Sequence, residues 1–158
     1  MFKVNDSVVY PGHGVGRIIE SVTKEIFGKK QTFLTIQIAD SGMKIMVPKD
    51  NVEIIGLRRP LSKGKIIKVF KDIKGFKTVN TSTWNVRYRE LMEKIKTGEF
   101  DKVCEVLKQL ADIQSTQELS FGERKMIDTA RSLAVAEVAV SLKISIDEAT
   151  KLLSERLT

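Results

Sequence analysis

Up to residue 57 the apolar positions recur with a period of about two. Phe2 to Tyr10, Gly16 to Val22, Thr32 to Ala39 and Met43 to Val47 are short runs rich in β-branched residues and read as strands. In the third, Thr32, Leu34, Ile36 and Ile38 alternate with Phe33, Thr35 and Gln37, which predicts one mostly aliphatic face. Pro11-Gly12-His13-Gly14, Phe27-Gly28-Lys29-Lys30 and Asp40-Ser41-Gly42 interrupt the runs with the Gly or Asp that tight turns use. Four or five strands in under 60 residues predict a small, strongly bent barrel of the Tudor or SH3 kind.

Beyond residue 58 the period lengthens. Phe100, Val103, Cys104, Leu107, Leu110 and Ala111 fall at i, i+3, i+4 and i+7, one face of a helix. Ser120-Phe121-Gly122-Glu123 has the S-x-x-E form of a capping box and opens a helix to about Leu142, while Ser145-Ile146-Asp147-Glu148 opens a shorter one. Gly56 to Leu61 and Lys74 to Thr83 read as connectors. The fold class is therefore α+β, with a barrel over residues 1–57 followed by an all-helical domain over residues 58–158.

The chain is 158 residues long, 42% hydrophobic and 30% charged, the composition of a folded domain or two small ones. No run approaches the roughly 18 apolar residues of a membrane helix, and the first residues lack the regions of a signal peptide, so a cytoplasmic protein without membrane contact is expected. A single Cys104 forms no internal disulfide, and with only His13 beside it no zinc site is expected. Cys104 lies on an apolar helical stripe and reads as a small buried hydrophobe.

The net charge of +7 is unevenly spread. Residues 1–57 hold 7 Lys/Arg against 6 Asp/Glu, residues 58–96 hold 12 against 3, and residues 97–158 hold 8 against 11. Basic charge thus belongs to the middle segment, which suits phosphate backbones or a solvated face. Catalytic chemistry is sparse. His13 sits in a glycine-flanked turn and shapes it, and Pro11 to Gly16 is neither a P-loop nor a dinucleotide fingerprint, because no helix follows. Asp6, Asp40 and Asp50 lie in separate turns, so neither a metal site nor a cofactor is expected, and an enzyme is not.

The basic segment meets the only tryptophan at Thr81-Ser82-Thr83-Trp84-Asn85-Val86-Arg87-Tyr88-Arg89. Three hydroxyl residues offer N-caps, so a helix is expected from Trp84 to near Gly98. Trp84 shares a stripe with Tyr88, Leu91, Met92 and Ile95, which suits a core residue. On the first turn, however, a side chain overhangs the helix end, and Arg87 with Lys94 and Arg89 with Lys96 flank the stripe. An aromatic between phosphate-binding groups also suits a minor-groove wedge. Lys63, Lys65, Lys68, Lys71, Lys74 and Lys77 would extend the positive surface or form a solvated face.

Four motifs together resemble the CarD/CdnL family of bacterial transcription regulators: Phe2 to Gly16, Met46-Val47-Pro48 followed by Asn51, Trp84 to Arg89, and Leu119 to Met126. The resemblance spans essentially the whole chain. It implies a Tudor-like domain that binds the β subunit of RNA polymerase and a helical domain that contacts promoter DNA at the upstream edge of the melted region, without catalysis. By motif position it implies Trp84 as the wedge, with Arg87, Arg89, Arg124 and Lys125 on DNA, and Lys24, Ile36, Met46 and Pro48 on polymerase. Some members carry a basic residue where this chain has Met46. A nucleoid-associated monomer is the corresponding expectation. The competing reading is a general nucleic-acid-binding module whose barrel holds the ligand, but residues 1–57 lack the positive charge such a barrel carries.

Overall fold

A computed structural model describes residues 2–76 and 83–157. The chain divides into two compact units, Met1–Pro60 and Leu61–Thr158. The connector expected over Lys74 to Thr83 falls largely outside the described residues, as do Lys77, Thr81 and Ser82.

In the first unit, β1 (Ser7–Tyr10), β2 (Gly14–Ile26), β3 (Lys29–Ile38) and β4 (Lys44–Pro48) form one antiparallel sheet in the order β1-β2-β3-β4. A 3₁₀ turn, Lys49–Asn51, and a single helical turn, α1 (Val52–Ile55), follow. The expected barrel is a curled half-barrel, a Tudor-like sheet that does not close on itself. Instead, Arg58 runs antiparallel to β1: Val9 N–H donates to the Arg58 carbonyl at 2.7 Å and Arg58 N–H to the Val9 carbonyl at 3.3 Å, which covers that edge.

The strand limits also differ from the sequence reading. β2 and β3 extend as a ribbon to a two-residue turn at Phe27 and Gly28, whose φ angles of 53° and 77° are those of the turn that matches strand twist. Its outer residues are exposed, so no hydrophobic alternation marks them. A register shift between Ile18 and Glu20 bends β2 where the ribbon leaves the sheet. At the first turn His13 is exposed, its N–H donating to the Tyr10 carbonyl at 2.9 Å and its ring edge-on to Tyr10 at 5.1 Å, so it shapes the turn.

The curl wraps Val8, Ile18, Leu34, Ile36, Ile38, Val47 and Leu57 into one core. Gly16 makes the curvature possible. A Cβ there would lie 2.8 Å from the Gln37 carbonyl oxygen and 2.9 Å from Ile36 Cγ2, so β2 and β3 pack too closely for any side chain.

The second unit holds α2 (Lys63–Lys74), α3 (Trp84–Lys96), α4 (Phe100–Gln114), α5 (Phe121–Leu142) and α6 (Ile146–Leu157). Helix α4 is central and packs on the other four, burying Phe100, Val103, Cys104, Val106, Leu107, Leu110 and Ile113. Cys104 is fully buried, and that burial pushes its thiol well above the usual range, which leaves it an inert core residue. The lysine run is α2, capped by Ser62. Ile66, Phe70 and Ile73 enter the core while Lys63, Lys65, Lys68, Lys71 and Lys74 stay in solvent. Helices α5 and α6 start at Ser120 and Ser145 as their capping motifs predict. Among the described residues no helix is long and apolar enough to cross a membrane.

Gly16→Ala is expected to destabilise the first unit by about 2–3 kcal/mol, because the clashing atoms are backbone and buried side chain. A urea melt followed by circular dichroism measures this, and a loss below about 0.5 kcal/mol would show that the strand crossing relaxes freely.

Candidate nucleic-acid interface

Helix α3 is anchored by Leu91 and Ile95, with Tyr88 and Met92 packed against the same core. Trp84 stands one turn earlier and overhangs the helix end, so it does not reach that core and remains 45% exposed. Its ring stacks on Tyr88, with centroids 5.3 Å apart and planes 23° from parallel, and its Nε1–H donates to Ser120 Oγ at 3.3 Å. Thr83 is the N-cap but makes no side-chain cap bond. Its extended backbone, with ψ at 161°, ends the helix there.

Ser120 is itself the cap of α5. Its hydroxyl accepts the Glu123 N–H at 3.2 Å while Glu123 Oε1 accepts the Ser120 N–H at 3.3 Å, a complete capping box. Gly122 lies against Tyr88, whose Cε2 would be 3.2 Å from an added Cβ. Glycine at that position gives up helix propensity and lets the Tyr88 ring lie on the α5 backbone. Tyr88 thus touches both Gly122 and Trp84. The starts of α3 and α5 are thereby fastened together, with partial positive charge and free N–H groups at each.

The expected role of Arg87 needs correction. Arg87 is buried, and its Nη2 donates to Glu123 Oε2 at 3.1 Å, so its charge is spent inside the unit rather than offered to a phosphate. Position 87 faces α5 because it is one turn before Leu91 on the inner side of α3. Lys94, on the same flank, pairs with Glu105 at 3.3 Å and lies 5.3 Å from the Phe76 ring centroid. Arg89, Lys96, Arg124 and Lys125 are exposed, as a phosphate-binding role requires.

Two features escaped the sequence reading. Phe121, the first residue of α5, is 68% exposed with Lys125 Nζ 4.9 Å from its ring centroid. Its displacement from the Met126, Ile127 and Ala130 stripe was the available signal. Ser120 as partner of the indole had no sequence signal, since the two residues are 36 apart.

In the first unit, Lys24 is exposed on β2 and Met46 is 50% exposed on β4. Pro48 is half-buried where β4 ends. Ile36 is fully buried, which corrects its assignment to a partner-facing surface: on β3 it alternates with Gln37 and belongs to the aliphatic face that fills the curl. Among the described residues, strand β4 pairs only with β3, opposite Phe33 to Gln37. Because Ile38 N–H donates to the Met43 carbonyl, the ladder alternation turns the backbone groups of Lys44 and Met46 to the open edge.

Burial acts to raise the Glu123 pKa, but the Ser120 hydrogen bonds and the Arg87 guanidinium outweigh it and hold the carboxyl below its ordinary value. Its ionised form therefore stabilises the fold at neutral pH, and this contribution disappears as pH falls through the native-state value, below about 4.5. Glu123→Gln is expected to cost about 3–5 kcal/mol at pH 7, since Arg87 is left buried without its counter-charge, and to flatten the loss of stability on acidification. Urea melts between pH 7 and 3 check this. Equal acid sensitivity in parent and variant would remove the pair as the cause.

Residues 2–61 match the family profile of the CarD-like/TRCF RID domain, and residues 68–154 that of the CarD C-terminal domain. The YdeB protein of Bacillus subtilis (strain 168), named as a transcription factor, is 31% identical over 144 residues, covering 89% of this chain and 92% of its own. Among solved structures, the 72-residue N-terminal domain of Myxococcus xanthus CarD is 41% identical, covering 37% of this chain and 79% of that one, with a TM-score of 0.32. CdnLNt from Myxococcus xanthus is 40% identical, covering 40% and 89%, with a TM-score of 0.34. Two profiles in succession and a relative matched along nearly its whole length agree: the chain belongs to the CarD-like family of transcription factors.

Proposed function

We propose that the protein regulates transcription initiation by holding RNA polymerase and promoter DNA together. The first unit, read from sequence as residues 1–57, binds the polymerase β subunit. The second, residues 58–158, contacts DNA at the upstream edge of the bubble and stabilises the open complex. The observation that carries this reading is the half-exposed Trp84 indole, fixed by Tyr88 and Ser120, with Arg89 exposed on the same helix and Arg124 and Lys125 exposed at the start of α5. A ring held in place before DNA arrives loses little entropy when it enters a base step, and filling that step offsets the few kcal/mol of unstacking.

On the polymerase side, the open edge of β4 supports strand addition, with Met46 offering both backbone groups and Pro48 ending the ladder because it has no N–H. The side-chain contacts are Lys24, Met46 and Pro48. With methionine at position 46 the contact depends on apolar packing and main-chain pairing more than on charge. The first unit is almost neutral, which separates its role from that of a nucleic-acid-binding barrel. Stabilisation of the open complex then follows from differential affinity for open over closed DNA, typically about 1–3 kcal/mol. Each contact raises the effective concentration of the other.

Trp84→Ala is expected to cost only about 1 kcal/mol of stability, the value of a stacked and hydrogen-bonded surface ring, while leaving polymerase capture unchanged and shortening the open-complex lifetime. A denaturant melt, a pull-down on polymerase and a lifetime assay decide the matter. An unchanged lifetime in the folded variant would refute the wedge, and failure of the parent chain to capture polymerase would refute the tether.

Salt dependence separates the arginines. Arg89→Ala and Arg124→Ala are each expected to lower the slope of log affinity against log salt by about 0.9, one phosphate contact apiece. Arg87→Ala is expected instead to destabilise the fold by about 3–5 kcal/mol through the stranded Glu123 charge. DNA titrations at several salt concentrations with thermal melts test this, and slopes unmoved by both exposed substitutions would make the basic rim a solvated face.

A further inference from the structure

Among the described residues at the starts of α3 and α5, Phe121 is the most exposed large apolar side chain, ahead of Trp84 and Val86. No core contact among the described residues accounts for it. The first position of a capped helix accepts almost any residue, and the ring takes no part in the core. Lys125 lies one turn along with its ammonium over one face of the ring, so the exposed area belongs to the other face and the rim. Arg124 is exposed beside it, and the residue before it, Ser120, holds the Trp84 indole. Phe121 and Trp84 thus stand at two helix starts joined through Ser120, with the exposed cations Arg124 and Lys125 on the turn that follows Phe121.

Building on the promoter-contacting role proposed above, we infer that Phe121 is a stacking site for an unpaired nucleobase next to the step entered by Trp84. The base would lie on the free face of the ring, with Lys125 and Arg124 at its phosphate. Every base presents a flat π-face, so such a site recognises an unpaired strand without reading its sequence. A fully paired duplex keeps its bases stacked and offers nothing to the ring. Trp84 thus acts at the duplex edge and Phe121 on the strand released beyond it. The cationic surroundings favour a polynucleotide over an apolar protein pocket, where a lysine on the ring would be costly to bury.

The test uses the full chain at low salt, with fluorescence anisotropy on two labelled DNAs, a duplex ending in an unpaired strand and a fully paired duplex of the same length. Phe121→Ala is expected to bind the forked DNA about five- to tenfold more weakly and the paired duplex unchanged. Phe121→Tyr is expected to match the parent, and Phe121→Leu, apolar but not aromatic, to match the alanine variant. Emission from Trp84, the chain's only tryptophan, is expected to be the same in the DNA-free parent and in each DNA-free Phe121 variant. Undiminished binding of forked DNA by Phe121→Ala, equal losses on both DNAs, full binding by Phe121→Leu, or a Trp84 emission shifted in a DNA-free variant would each overturn the stacking site. If the parent binds neither DNA, the promoter-contacting reading itself fails, whereas a loss confined to a Trp84 variant leaves that reading intact and rejects Phe121 alone.

Discussion

The buried ion pair between Arg87 and Glu123 is the contact on which the helical unit's exposed edge depends. Glu123 serves two helices at once: one carboxylate oxygen closes the cap of α5 on the Ser120 N–H, and the other receives the guanidinium from α3. Since both charges are withdrawn from water, the pair tolerates little displacement, and a half-made version would leave a bare charge inside. It locks the two helix starts in register. Ser120 can then present its hydroxyl to the indole, and Gly122 can receive the tyrosine ring beneath it.

That arrangement explains how one short stretch carries both a buried and a solvent-facing set of cations. Arg87 turns inward and supplies rigidity, while Arg89, two positions on, points away and keeps its charge available. A wedge needs both. An aromatic on a frayed helix end would lose its orientation to conformational entropy, whereas one braced by a ring, a hydroxyl and a buried pair is ordered beforehand.

The first unit solves a different problem. A four-stranded sheet leaves two edges; here the chain covers one with Arg58 and leaves the other, β4, unpaired among the described residues. An open edge invites aggregation unless it is short or interrupted. At five residues ending in proline, β4 is both, and an edge so limited suits a single added strand better than an indefinite ladder.

Period, turn chemistry and capping motifs by themselves determined the element types: a strand-rich start, the helices of the second part, the starts of α5 and α6 at Ser120 and Ser145, and Cys104 as a core residue. These are local properties, because a cap needs only the three residues after it and a stripe only its own helix. They also placed the uneven charge and Trp84 at a helix start. Tertiary structure alone decided which neighbour each side meets. Arg87 and Arg89 are alike in sequence, yet one found Glu123, 36 residues away, and lost its charge to the interior. Ile36 sat on an aliphatic face that only the curl of the sheet turned inward. The sheet curls with β1 paired to Arg58, and long-range pairing of that kind depends on chain geometry that no local pattern encodes.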